Sequence, residues 1–127
     1  MFKISKQYRF EASHQLIHHD GKCARLHGHS WVLSVEFEGQ TLQDSGPETN
    51  MLLDYGNVSK VMKPIIERLD HYHLNDVLHT DSPTSEFLAK WVKDEIFKVW
   101  DLKPPPGIRP CAISINETCT SECRLEF

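Results

Sequence analysis

His27 and His29 are two residues apart in a 127-residue sequence, and both share parity with the apolar Trp31, Leu33, Val35 and Phe37. On a strand, such a pair projects from one face with backbones roughly 6.6 Å apart. Two imidazoles on a core-directed face need polar partners, and a metal ion can serve both at once. A third histidine, His14, ends an earlier alternating segment (Phe2, Ile4, Tyr8, Phe10, Ala12) on its own inward parity. If the two segments pair as a hairpin, His14 meets His27 and His29. Three neutral imidazoles on rigid strands make an open zinc site whose fourth position accepts water or substrate.

Other residues qualify this picture. Cys23 stands four residues before His27, with three residues between them, in C-A-R-L-H-G-H. Its thiolate is either the fourth ligand of a closed structural site or a base beside an open one, and the spacing leaves both open. Asp70-His71 can act as a carboxylate-oriented imidazole relay, or as a solvated pair at a helix end. Glu117 closes an inward alternation of Cys111, Ile113 and Ile115. A carboxylate there needs either an internal cation or a ligand with adjacent N–H donors. His18, His19 and His79 read as solvated loop residues, and His73 has no assigned duty. Cys111, Cys119 and Cys123 read as small buried hydrophobes.

These residues need positioning elements. Phe2 to His14 is a half-buried strand, and His27 to Phe37 is a second. The polar stretch Gln15 to Leu26 joins them as a long functional loop. Val58, Val61, Met62, Ile65, Ile66 and Leu69 have helical spacing, with Pro64 expected to kink or break the helix. Asp76 to Pro83 reads as a turn-rich connection. Thr84 is an N-cap for a second helix whose face comprises Phe87, Leu88, Trp91, Val92, Ile96, Val99 and Trp100. Lys103 to Gly107 is a stiff connector, followed by strands ending near Glu117 and Phe127. The order is ββααββ: an α+β fold with two helices on one face of a four-stranded antiparallel sheet.

Composition sets outer bounds. The length predicts one domain, 1–127. With 39% hydrophobic and 25% charged residues, the chain is expected to fold rather than stay disordered. A net charge of −4 argues against nucleic acid as the main partner. No apolar run is long enough for a membrane span or a signal-peptide core. The expected compartment is the reducing cytoplasm, with free cysteines.

His14 in F-E-A-S-H, followed by C-A-R-L-H-G-H, L-D-H-Y-H-L-N, P-T-S-E and N-E-T, resembles the 6-pyruvoyl-tetrahydropterin synthase/QueD family in order and over nearly the whole chain. The resemblance implies the tunnelling fold, assembled as a homohexamer (a dimer of trimers) with active sites at subunit interfaces. It implies zinc on His14, His27 and His29, Cys23 as base, and Asp70 and His71 as its relay. Glu117 would anchor a pterin ring in a pocket lined by Thr118, Thr84, Ser85 and Glu86. The three-residue spacer between Cys23 and His27 resembles the 6-carboxy-tetrahydropterin branch of queuosine and deazapurine biosynthesis. That branch converts 7,8-dihydroneopterin triphosphate to 6-carboxy-5,6,7,8-tetrahydropterin, acetaldehyde and triphosphate. The alternatives are a sibling pyruvoyl-tetrahydropterin activity, or a non-enzymatic protein with a closed Cys-His₃ zinc site. Tyr55 and Pro64 depart from the family pattern without touching the proposed chemistry.

Overall fold

The computed structural model describes residues 1–100 and 105–127, so part of the expected Lys103 to Gly107 connector lies outside the described residues. Strands β1 (Phe2–His14) and β2 (His27–Gly39) pair antiparallel from Phe2↔Gly39 to His14↔His27. The alternation holds: Phe10 and Ala12 on β1 and Trp31, Leu33, Val35 and Phe37 on β2 are buried. Lys6, the exception on β1, donates from Nζ to Ser59 Oγ at 2.7 Å, and the Tyr8 hydroxyl lies 3.0 Å from the same oxygen. A cation is tolerated at this inward position because it is only half-buried and has a hydrogen-bond acceptor.

Helix α1 (Tyr55–Glu67) starts at Asp54, whose side chain accepts from the Gly56 N–H at 2.6 Å. Its buried face is built from Val58, Met62 and Ile65. It runs through Pro64 without a break. Pro64 is exposed, so the lost backbone bond falls on the solvent side.

Two short elements follow that have no counterpart in the sequence reading: β3 (Tyr72–His73) and α2 (Leu74–Leu78). Asp76 to Leu78, expected within a turn-rich connection, belong to α2. A two-residue strand and a five-residue helix are both too short for periodicity to register. Helix α3 (Ser85–Trp100) begins as expected, with Thr84 Oγ1 accepting from the Phe87 N–H at 3.1 Å. Its buried stripe is Leu88, Ala89, Val92, Ile96 and Trp100, whereas Phe87 and Val99 remain exposed.

Strands β4 (Ile108–Thr118) and β5 (Ser121–Glu126) complete a sheet of order β3-β1-β2-β4-β5. The sheet therefore has five strands rather than four, and β3 adds a parallel pairing at Ala12↔Tyr72 and Ser13↔His73. The helices cover one face, where Trp31, Phe37, Met62, Leu88, Ile96 and Ile113 form the centre of the core.

The β2–β4 register shifts at Glu36/Phe37, leaving Cys111 as the extra residue. Its thiol turns to Glu36 Oε1 at 3.5 Å instead of joining Ile113 and Ile115. Burial, with Glu36 adding to it, pushes that thiol up to about 12, which leaves it protonated and inert. Cys119 is exposed and Cys123 half-buried, so of the three cysteines expected to be buried only Cys111 is. Alternation places a side chain on a face, but it does not say how far the strand extends under cover.

Candidate metal centre and active site

The hairpin register alone assembles the histidines. His14 and His27 are direct cross-strand partners, and His29 faces Ala12 one inward position along. Their ring centroids are 4.5 Å (His14–His27), 5.1 Å (His14–His29) and 4.9 Å (His27–His29) apart. One ligand atom from each lies within 4.8 Å of the others, a group that can hold a metal ion. Trp31 forms the floor, 5.1 Å from the His14 ring and 5.3 Å from the His29 ring. Its indole N–H is tied to the Ala12 carbonyl at 3.1 Å.

Tautomers follow from the outer contacts. His14 Nδ1 donates to the Pro83 carbonyl at 2.9 Å, and His27 Nδ1 donates to the Arg25 carbonyl at 2.7 Å. A neutral imidazole that donates from Nδ1 keeps a lone pair on Nε2, the ligand-ready form. His14 Nε2 and His29 Nε2 are buried without a hydrogen-bond partner. Glu117 Oε1 nevertheless lies 3.1 Å from the first and 3.5 Å from the second. At His14 these facts agree once the tautomer is considered, because a lone pair cannot donate to a carboxylate. The His14 Nε2 lone pair and the Glu117 carboxylate oxygen that faces it repel unless a cation lies between them. The donor set fits a divalent ion with nitrogen and oxygen ligands, zinc included.

Burial holds His14 and His29 below the usual histidine range, partly opposed by the Glu117 charge. Both are therefore neutral near neutral pH, as metal ligation requires.

Cys23 sits in a short 3₁₀ turn, Lys22–Ala24, with its side chain half-buried. The turn is fastened to the end of β1: Leu16 N–H donates to the Cys23 carbonyl at 2.8 Å, and Gln15 Nε2 donates to the Ala24 carbonyl at 2.9 Å. The thiol does not belong to the histidine group. A closed Cys-His₃ site is therefore not formed within one chain.

Asp70 and His71 follow α1 at the opposite edge of β1. Asp70 Oδ1 accepts from His71 Nδ1 at 2.9 Å and from the Glu11 N–H at 2.9 Å. The Glu11 bond and the neighbouring imidazole hold the Asp70 carboxyl below the usual carboxylate range. With Nδ1 committed to Asp70, the other ring nitrogen of His71, Nε2, is left to face the surroundings. His71 shares a cavity of about 600 Å³ with Gly28, His29, Ser30 and Glu11. A Cβ at Gly28 would meet the Ala12 carbonyl at an ordinary 3.5 Å, so packing within the chain does not demand glycine there.

The remaining expected pocket residues have local duties. Thr84 caps α3, Ser85 Oγ donates to Glu86 Oε1 at 3.0 Å, and Thr118 Oγ1 pairs with Ser121 Oγ at 2.8 Å across the β4–β5 turn. His18 is exposed 3.8 Å from Asp81, His19 accepts from the Gly21 N–H, and His79 ends α2 in the left-handed region at φ 52°.

The family model for 6-pyruvoyl tetrahydropterin synthase matches residues 3–126. The chain belongs to that family. A 6-carboxy-5,6,7,8-tetrahydropterin synthase of Synechocystis sp. is 42% identical over 125 residues, covering 98% of this chain and 92% of the relative. Another so named, from Aquifex aeolicus, is 34% identical, with 98% of each chain covered. Among solved structures, the Caenorhabditis elegans 6-pyruvoyl tetrahydropterin synthase superposes with a TM-score of 0.81 at 23% identity, covering 99% of this chain and 95% of that one. The Plasmodium falciparum 6-pyruvoyl tetrahydropterin synthase superposes with a TM-score of 0.73 at 14% identity, covering 99% and 97%. At those identities the likeness shows the fold, which is the tunnelling fold.

In this member of the 6-pyruvoyl tetrahydropterin synthase family, three supporting groups escaped the sequence reading. The Pro83 and Arg25 carbonyls orient His14 and His27, and Glu11 holds Asp70 and His71 through its backbone. Every residue carries a carbonyl and almost every one an N–H, so side-chain type could not mark them. Trp31 was visible only as one more apolar residue on β2.

Proposed function

We propose that this chain is a zinc-dependent 6-carboxy-5,6,7,8-tetrahydropterin synthase of the cytoplasm, a carbon–carbon lyase of queuosine and 7-deazapurine biosynthesis. Its substrate is 7,8-dihydroneopterin triphosphate, and the other products are acetaldehyde and triphosphate. The observation that carries this reading is the 42% identity over 98% of the chain to a relative of that name. The converging histidines, the three-residue spacer after Cys23 and four unpaired thiols are in keeping with it.

His14, His27 and His29 would hold the zinc, which when bound supplies Lewis-acid polarisation of the substrate's side-chain oxygens. Cys23, as thiolate, takes the proton from the adjacent side-chain carbon. His71, with Nδ1 on Asp70, receives and returns a proton at a substrate oxygen through Nε2. Glu117 accepts from the N–H edge of the pterin and keeps the reacting carbon in place, in a pocket lined by Thr118 and the Thr84–Glu86 segment.

No hydrogen bond joins Cys23 to His71 among the described residues, and the cavity holding His71 is not lined by the Cys23 turn. A site completed between copies of the chain accounts for this separation. Free sheet edges support such assembly: β3 covers β1 only at Ala12 and Ser13, and β5 ends the sheet. The assembly we favour is a homohexamer, a dimer of trimers. Purified zinc-loaded protein incubated with 7,8-dihydroneopterin triphosphate is expected to release acetaldehyde and triphosphate together. Triphosphate without acetaldehyde overturns this reading in favour of the pyruvoyl sibling. Bound zinc with neither product favours a non-enzymatic zinc protein.

A further inference from the structure

Of the histidines without a duty, His73 is placed where it can matter. The segment Asp70 to Asn75 lies along Glu11 to Gln15 and is stitched to it at successive positions. Glu11 donates its N–H to Asp70 and accepts from the His71 N–H at 2.6 Å. Ser13 Oγ and His73 Nδ1 are 2.9 Å apart in a half-buried contact. Asn75 then does with its side chain what a strand does with its backbone. Its Oδ1 accepts from the Gln15 N–H at 2.9 Å, and its Nδ2 donates to the Gln15 carbonyl at 2.8 Å. His14 lies between the Ser13 and Asn75 rungs.

The need for such stitching is visible at His71, which sits in the left-handed region at φ 64°. A non-glycine residue stays there only when its surroundings outweigh the strain. Backbone pairing in β3 lasts two residues before the chain turns into α2, so side chains must supply the remaining rungs. Ser13 and Asn75 do this on either side of a metal-ligand candidate.

We propose that Ser13, His73 and Asn75 are positioning residues that brace the Asp70–His71 pair against the His14 end of β1, so that the relay imidazole and the metal-binding histidines keep a fixed spacing. The brace rests on the reading of Asp70–His71 as a proton relay. It acts through the backbone of two neighbouring segments and touches no substrate. Asn75 suits the task because an amide offers a donor and an acceptor at peptide-like spacing, whereas a carboxylate can only accept.

Zinc-loaded Ser13→Ala, Ser13→Thr, His73→Phe and Asn75→Ala are compared with the parent protein for metal content, kcat, KM and the ¹⁵N tautomer signature of His71. We expect zinc retained at the parent level and KM within about twofold. We also expect kcat lowered about 10-fold in Ser13→Ala and up to about 100-fold in Asn75→Ala. The Nδ1–H tautomer of His71 should become mixed in both, and Ser13→Thr should restore both readouts. An unchanged kcat and His71 tautomer overturns the brace, as does loss of zinc in step with kcat. Ser13→Ala removes a single oxygen and decides the matter if Asn75→Ala does not fold. If the parent protein releases no acetaldehyde, the functional reading fails. The His71 tautomer then still decides the brace, because it needs no turnover.

Discussion

At the residue scale, the histidine cluster carries a pH signature. Burial lowers the proton affinity of His14 and His29 in the folded chain, so the unfolded chain binds more protons below the ordinary histidine value of about 6.5. Stability of the metal-free protein is therefore full above that value and is lost as pH falls through it. Thermal melts of the metal-free protein are expected to be flat from about pH 7 upward and to move down as the pH falls below about 6.5. A His14→Gln variant should show a weaker slope. Cys23→Ala should keep its zinc by elemental analysis while turnover drops about 10²–10⁴-fold, the usual worth of a general base. A closed Cys-His₃ site predicts the reverse, with zinc lost. Glu117 faces two imidazoles in the single chain although its proposed task is to hold the pterin, and Glu117→Gln separates these duties. As the ring anchor, it should raise KM with zinc intact.

At the element scale, the hairpin does most of the work. The β1–β2 register brings all three histidines together, with His14 and His29 on a floor of Trp31, and the residue that leads into α3, Pro83, serves as a hydrogen-bond acceptor. Thr84→Ala removes the cap next to that acceptor and is expected to destabilise the protein by about 1 kcal/mol in urea unfolding. Pro64 offers the opposite test. A proline inside a helix costs about 3 kcal/mol relative to alanine, whereas loss of its stiffness in the unfolded chain gives back only about 1 kcal/mol. Because Pro64 is exposed, alanine leaves no cavity, and Pro64→Ala should stabilise by about 2 kcal/mol in the same experiment.

At the scale of the whole molecule, the open edges of β1 and β5 and the separation of Cys23 from His71 are in keeping with the proposed hexamer. Light scattering is expected to give a mass near six times the 14.7 kDa chain. If the thiol and the relay come from different copies, co-assembling Cys23→Ala with His71→Ala restores sites in which both partners are intact. Random mixing of two inactive chains should recover about a quarter of the parent activity, whereas a site within one chain recovers none.

Much of this protein was legible in one dimension. Period-two alternation located β1 and β2 and put His14, His27 and His29 on one face, because a strand alternates sides whatever surrounds it. Helical spacing and a threonine cap located α1 and α3 for the same local reason. The tertiary structure decided what no period encodes: the two-residue β3, the five-residue α2, and the bulge that turned Cys111 away from the core. It also decided which backbone carbonyls set the imidazole tautomers, and that Cys23 stays apart from the histidines within one chain. Backbone groups are chemically alike at nearly every position, so only their placement in space separates an orienting carbonyl from an ordinary one.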